Sequence, residues 1–127
     1  MPTSFTETPR DLAFILSEAN RNRSREVLTI RSGAGKLHAG TVLGKVTADE
    51  KYVTSPHAEV AGLEGAETAT AILGYEVDAT EADVDAVCIS DDAEVKDAML
   101  VFSASVDDET KRTAKLTQLR AVGIKAR

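Results

Sequence analysis

A glycine-rich stretch, RSGAGKLHAGTVLGKV, invites a phosphate-binding interpretation because it contains a Gly-Lys step at Gly35 and Lys36. A nucleotide-binding loop needs another glycine five residues earlier and a hydroxyl residue after the lysine, because loop amides hold phosphate and the hydroxyl holds Mg²⁺. Those positions hold Ile30 and Leu37. The dinucleotide-binding pattern also fails, since His38 stands where a third glycine is required. We therefore predict that these glycines form the positive-φ turns that close short strands.

Nucleophilic catalysis by a serine requires a histidine base, and the chain offers only His38 and His57. Neither histidine accompanies a G-x-S-x-G elbow, the sharp turn that exposes a nucleophilic serine. We expect both to lie in solvated turns or loops. The pattern does not favour an enzyme.

One acidic stretch of the chain could in principle bind a metal ion. The acidic run DATEADVDA, Asp78 to Ala86, supplies the oxygen ligands that Ca²⁺ prefers, but it lacks the residue order of a calcium loop. Thr80 and Asp83 suggest a capped turn before a strand instead. The two histidines and Cys88 are too far apart in sequence for a zinc motif, and Cys88 lies in an apolar run typical of a buried residue in a reducing compartment. We expect no metal and no cofactor.

Composition narrows the class of protein further. A chain of 127 residues, 43% hydrophobic, suits one compact domain, but only 4% of its residues are aromatic, so its core is thin and association of subunits would help it. The net charge of −6 disfavours nucleic-acid binding, because phosphate binding requires excess Lys and Arg. The basic run RNRSRE, Arg21 to Glu26, could touch RNA but better suits pairing with carboxylates. No apolar run is long enough to cross a membrane and no signal peptide is evident, so we expect a soluble protein made in the cytoplasm.

The N-terminus divides into two segments. Residues 1–10 are polar and bracketed by Pro2 and Pro9, which favours an extended arm; residues 11–127 then form one compact domain. Asp11 to Asn20 is apolar from Leu12 to Leu16, and its periodicity leaves two alternatives, a short helix or an extended anchoring segment.

Short β-prone runs then alternate with turn residues, which predicts a mainly β fold such as a small β-barrel or β-clip-like domain. The strand candidates are Val27 to Ile30, Thr41 to Val46, Tyr52 to Thr54, Thr68 to Leu73, Asp85 to Ser90 and Ala98 to Ser103. A C-terminal α-helix follows, capped by Asp107 or Asp108 and ended by Gly123. Its apolar face carries Leu116, Leu119 and Val122.

Several blocks together resemble the lambda-type phage head decoration protein family. These blocks are FILSEAN, RSRE, KLHAGTVLGKVT, AIL followed by VDAT, DAEV and the terminal VGIKAR, and they span Phe14 to Arg127. AGTVLGKVT is the most specific of them. The resemblance implies a non-enzymatic structural protein of the virion, bound to the outer surface of the expanded capsid as a homotrimer at local threefold positions, where it stabilises the head against rupture.

The resemblance also implies that the partners are the major capsid protein and further copies of the chain, and that the arm reaches the coat. The arm is uncharged through TSFT and could add backbone hydrogen bonds to an exposed sheet edge. We therefore expect capsid-binding residues in two groups, the arm itself and its root: Thr3, Ser4, Phe5 and Thr6, and Phe14, Ile15 and Leu16. The alternative is a surface-binding module for glycans or host surfaces, which pocket aromatics would favour.

Overall fold

A computed structural model describes residues 10–19 and 24–127 of the chain. Ten strands and one α-helix follow one another along these residues. The strands are β1 (Ile15–Glu18), β2 (Arg25–Ile30), β3 (Gly35–Leu37), β4 (Val42–Lys45), β5 (Tyr52–Thr54), β6 (Ala69–Leu73), β7 (Val77–Ala79), β8 (Val84–Ile89), β9 (Ala93–Val95) and β10 (Ile124–Ala126). The helix α1 spans Glu109–Ala121, and a single 3-10 turn covers Asp97–Met99. The prediction of a mainly β domain with a C-terminal helix is confirmed.

The centre of the fold is a closed barrel with the strand order β2-β5-β4-β6-β8. Strands β2 and β8 close it through six consecutive antiparallel pairs, from Arg25 opposite Ile89 to Ile30 opposite Val84. Closure leaves no free edge in the barrel itself. Two smaller sheets flank it, one with the order β1-β9-β10 and one formed by β3 and β7.

Two apolar clusters fill most of the interior. One lies inside the barrel and includes Leu28, Ile30, Leu43, Leu73 and Cys88. The other joins the barrel to α1 and the three-stranded sheet, and its largest buried side chains are Phe14, Ile72, Ile89, Leu119 and Ile124. Aliphatic side chains dominate both clusters, in keeping with the low aromatic content of the chain.

The glycine-rich stretch frames β-structure, as predicted. Gly33, Gly35 and Gly40 have φ values of 90°, 87° and 93°, in the left-handed region that side chains rarely adopt. Gly44 is required for a different reason, because a Cβ atom there would lie 1.9 Å from the Ala66 carbonyl oxygen. Turns and one close backbone approach therefore explain these glycines.

Helix α1 begins and ends where the sequence predicted. Asp108 is the N-cap, and its Oδ1 accepts a hydrogen bond from the Lys111 amide at 2.8 Å. Gly123, with a φ of 90°, ends the helix and Ile124 is fully buried behind it. Leu119 is buried, while Leu116 and Val122 are partly buried against the same cluster.

The structure contradicts one predicted strand and decides between two alternatives for another segment. The strand expected over Ala98 to Ser103 does not form; a 3-10 turn occupies its start and only Val101 pairs, in an isolated bridge with Thr41. Its apolar run instead packs as irregular chain against the core, with Leu100 buried. Of the two alternatives for the segment after the arm, the extended one is found: a turn through residues 11–14 leads into β1.

Candidate functional site

Residues 11 and 12, which follow the predicted arm, are hydrogen-bonded to the segment that connects β6 and β7. The Leu12 amide donates a hydrogen bond to the Gly74 carbonyl at 2.8 Å, and the Glu76 amide donates to Asp11 Oδ1 at 3.0 Å. Leu12 adopts a φ of 60°, which costs a non-glycine residue about 1–2 kcal/mol and persists because these contacts hold it. These contacts fix Asp11 and Leu12 beside residues 74–76.

The three predicted root residues occupy different environments. Phe14 is 1% exposed and belongs to the core cluster under α1, and its carbonyl accepts a hydrogen bond from the Lys96 amide at 2.7 Å. Ile15 is partly buried against the same cluster. Leu16 is 47% exposed. Phe14 is thus part of the core, whereas the Leu16 side chain is exposed on the surface. Thr3, Ser4, Phe5 and Thr6 lie outside the described residues.

Strand β1, which follows the root, is an edge strand. It pairs antiparallel with β9, with an irregularity between Ile15 and Ser17, and the described residues provide no strand on its other side. An edge strand carries unpaired backbone amide and carbonyl groups that a strand of another chain can pair with. Among the described residues, the open side of β1 can therefore accept a further strand.

Polar contacts fasten the end of β1 to the start of β2. Arg25 donates two hydrogen bonds to the Glu18 carboxylate, from Nε at 2.8 Å and from Nη2 at 2.6 Å. This contact lowers the pKa of Glu18 and raises that of Arg25. Ser24 is fully buried; its hydroxyl accepts from the Ala19 amide at 2.8 Å and donates to the Asp92 carbonyl at 2.6 Å. For Arg25, the prediction that the basic run pairs with carboxylates is confirmed.

The acidic run serves turns and ion pairs. Asp78 Oδ1 accepts from the amide and the hydroxyl of Thr80, at 3.1 and 2.6 Å, and these bonds lower the pKa of Asp78. Asp83 accepts hydrogen bonds from Lys51 Nζ at 2.6 Å and from the Ser32 amide at 2.7 Å. These bonds lower the pKa of Asp83, and the bond from Lys51 has the largest effect. Thr80 and Asp83 thus lie in the turn before β8, as predicted, but Asp78 caps Thr80 while Asp83 bonds to Lys51 and Ser32.

The residues considered for chemistry lie in ordinary surface and core positions. His38 Nδ1 is 3.3 Å from Glu76 Oε1, and the backbone amide of the exposed His57 donates to Ser105 Oγ at 2.9 Å. Cys88 is fully buried, and desolvation raises its pKa to about 12. Residues 10–19 and 24–127 contain no cluster of three or more His, Cys, Asp or Glu side chains that could hold a metal ion. In the described part of the chain, no helix is long and apolar enough to span a membrane.

Sequence reasoning missed one exposed surface. Arg25, Val27, Tyr75 and Val87 line a shallow depression on the outside of the barrel. The alternation within β2 was the available signal, because Leu28 and Ile30 face the barrel interior and Val27 must then face outward. Tyr75 carried no such signal, since only the folded chain brings its turn beside these strands.

A small closed barrel with an edge strand beside it and an exposed apolar surface on its wall has the features that binding and assembly modules use. The sequence specifies which one. Residues 4–124 match the family model of Bacteriophage lambda head decoration protein D, and the chain belongs to this family. It is a non-enzymatic structural protein that resides on the surface of the phage capsid, which it decorates and stabilises. No curated protein matches the chain significantly.

Proposed function

We propose that the protein binds the expanded phage head as a homotrimer at local threefold positions, with residues 1–10 as an extended arm and 11–127 as one compact domain. In this proposal Thr3, Ser4, Phe5 and Thr6 contact the major capsid protein. Phe14, Ile15 and Leu16 anchor the root of the arm. The observation that carries the proposal is the fixed root, where the Leu12–Gly74 and Asp11–Glu76 hydrogen bonds set the direction from which the arm departs.

The fixed root matters because attachment is multivalent. Three arms projecting from one trimer act at high effective concentration, so weak single contacts combine into strong attachment only if their spacing matches the sites on the shell. A root that could move freely would relax this geometric requirement. If expansion of the shell creates the matching spacing, the trimer binds the expanded lattice preferentially and lowers its free energy relative to the compact or ruptured shell.

The edge strand gives the arm a neighbouring partner surface. Strand β1 follows the root directly, and Leu16 on it is exposed. A coat segment that pairs with the arm could therefore extend its contact onto β1 through backbone hydrogen bonds and the Leu16 side chain.

Attachment can be measured on purified expanded and unexpanded shells by imaging the occupancy of threefold positions. We expect the intact protein to occupy expanded shells, and both Phe5→Asp and deletion of residues 1–10 to lose occupancy while keeping the subunit number of the intact protein. Val60→Asp is the matched control, because it places the same charge on an exposed valine far along the chain from the arm. Unchanged occupancy without residues 1–10 contradicts the role of the arm.

The root residues require two different variants because their burial differs. Leu16→Asp changes an exposed side chain, so we expect a folded protein with weaker attachment. Phe14→Ala removes a core side chain, so we expect a loss of about 3–5 kcal/mol in the free energy of unfolding. A Leu16→Asp protein that attaches like the intact one would remove Leu16 from the coat contact.

A further inference from the structure

The depression formed by Arg25, Val27, Tyr75 and Val87, which we call the β2/β8 patch, is an exposed and mainly apolar surface on the wall of the barrel. Val27 is 64% exposed, the highest value among the large hydrophobic residues described as exposed. It lies directly opposite Val87 in the β2–β8 pairing. Two β-branched side chains thus lie side by side on the outward face of the barrel. In a single copy of the chain they are not buried, so they contribute no hydrophobic stabilisation there.

The patch is rigid. Six consecutive residue pairs hold β2 against β8, and the Gly74 amide donates a hydrogen bond to the Val87 carbonyl at 3.0 Å, which places Tyr75 beside the two valines. A side chain at position 74 would lie 2.7 Å from that carbonyl oxygen, so only glycine permits this approach. A surface that is already ordered loses little conformational entropy when a partner covers it.

The patch carries little net charge. Its only cation, Arg25, is neutralised by two hydrogen bonds to Glu18, and the Tyr75 hydroxyl contributes to the raised pKa of Arg25. The whole chain has a net charge of −6, so two copies repel each other across most surfaces. Electrostatic repulsion between two copies is weakest at a surface such as this patch, where the side chains are apolar and the one charged group is already paired within its own copy. Tyr and Arg are also the residues enriched at the centres of protein interfaces.

From these observations we propose that the β2/β8 patch forms the centre of the contact between neighbouring copies of this chain. The inference rests on the proposed homotrimer and identifies which surface builds it. A cyclic trimer has a heterologous contact, so the patch of one copy meets a different surface of the next copy. Because the patch lies beside Gly74, to which Leu12 is bonded, this contact lies close to the start of the proposed arm in the same copy.

The test compares full-length variants by light scattering after size-exclusion chromatography, over a range of protein concentrations. We expect Val27→Asp to convert the trimer into folded monomers, raising the concentration for half-assembly at least about tenfold, because a carboxylate would be desolvated in the contact. Val27→Thr keeps the β-branched shape and should produce a smaller shift. If Val27→Asp does not fold, as judged by circular dichroism, the Val27→Thr shift decides the question.

Val60→Asp is the matched control, since it adds the same charge to another exposed valine, and we expect it to remain trimeric. A trimeric Val27→Asp protein would overturn the assignment of the patch while leaving the homotrimer intact. The assignment also fails if Val27→Asp stays trimeric but no longer binds expanded shells, because the patch would then face the coat. Loss of the trimer in both Asp variants would overturn the assignment of the patch, because the effect would then not be specific to Val27. An intact protein that is monomeric at every concentration would overturn the homotrimer and the patch together.

Discussion

The ammonium group of Lys115 on α1 donates a hydrogen bond to Ser55 Oγ at 2.8 Å, in a position where the lysine is only 1% exposed. The same ammonium group donates to the carbonyl oxygens of Pro56 and Glu67, and the Ser55 hydroxyl donates to the Ala66 carbonyl at 2.7 Å. One lysine therefore fastens the helix to both ends of the loop between β5 and β6. A buried ammonium group is tolerated because acceptors surround it.

Replacing Lys115 by Met should lower the free energy of unfolding by about 1–3 kcal/mol, because the Pro56 and Glu67 carbonyls would lose their donor inside the protein. Urea denaturation measures the loss. Lys111→Met on the same helix is the control: its ammonium group pairs with Asp107 at the surface, so a smaller loss is expected. Equal losses in the two variants would contradict the role of the buried lysine.

The Glu18–Arg25 pair predicts a pH dependence. Because the hydrogen bonds from Arg25 hold the pKa of Glu18 below its ordinary value of 4.5, the pair stabilises the fold above that pH. This stabilisation is lost as the pH falls through the lowered pKa, since the carboxylate is then protonated in both states. For a partly exposed pair it amounts to at most about 1 kcal/mol.

Glu18→Gln isolates this contribution. We expect the difference in unfolding free energy between the intact protein and the variant to be constant near neutral pH and to shrink below pH 4.5. Denaturation curves at several pH values measure it. A difference that stayed constant down to the acid limit of folding would show that the ion pair does not stabilise the protein.

Gly44→Ala should strain the barrel severely. The new Cβ atom would lie 1.9 Å from the Ala66 carbonyl oxygen and 2.8 Å from the Ala66 Cα, and both are backbone atoms that cannot move alone. We expect a loss at or above the upper end of the range of about 1–3 kcal/mol typical of overpacking. Gly33→Ala is the control for replacing a glycine, because a Cβ atom there would have no other atom within 4 Å. Its only destabilising effect should be the strain of an alanine at a φ of 90°. Thermal denaturation of both variants tests this, and a smaller loss at Gly44 than at Gly33 would contradict the predicted clash.

Cys88 should be inert in the folded protein. Its side chain is fully buried in the barrel, and desolvation raises its pKa to about 12, so almost no thiolate is present or accessible. Iodoacetamide at mildly alkaline pH should leave the native protein unlabelled by mass spectrometry and label it fully in guanidinium chloride. Rapid labelling of the native protein would show that the barrel opens readily at β8.

Local sequence signals were sufficient for several elements. The cap at Asp108 and the stop at Gly123 define α1 because both act within a few residues of the helix ends. Strands β6 and β8 followed from apolar runs bounded by turn residues. The Ala98 to Ser103 run had the same appearance but formed no strand, because its neighbours leave it only one bridging position, Val101 opposite Thr41.

The sequence by itself determined the β-rich class, the turn glycines, the C-terminal helix and the resemblance to the decoration protein family, because these depend on local propensity or on the order of short blocks. Only the tertiary structure decided the closure of the barrel, the burial of Lys115 and the β2/β8 patch. Each of these joins residues that are remote in the chain: β2 meets β8, and Lys115 meets Ser55. No pattern within a window of a few residues records such a partner, since the free energy of pairing depends on which distant surface the folded chain brings near.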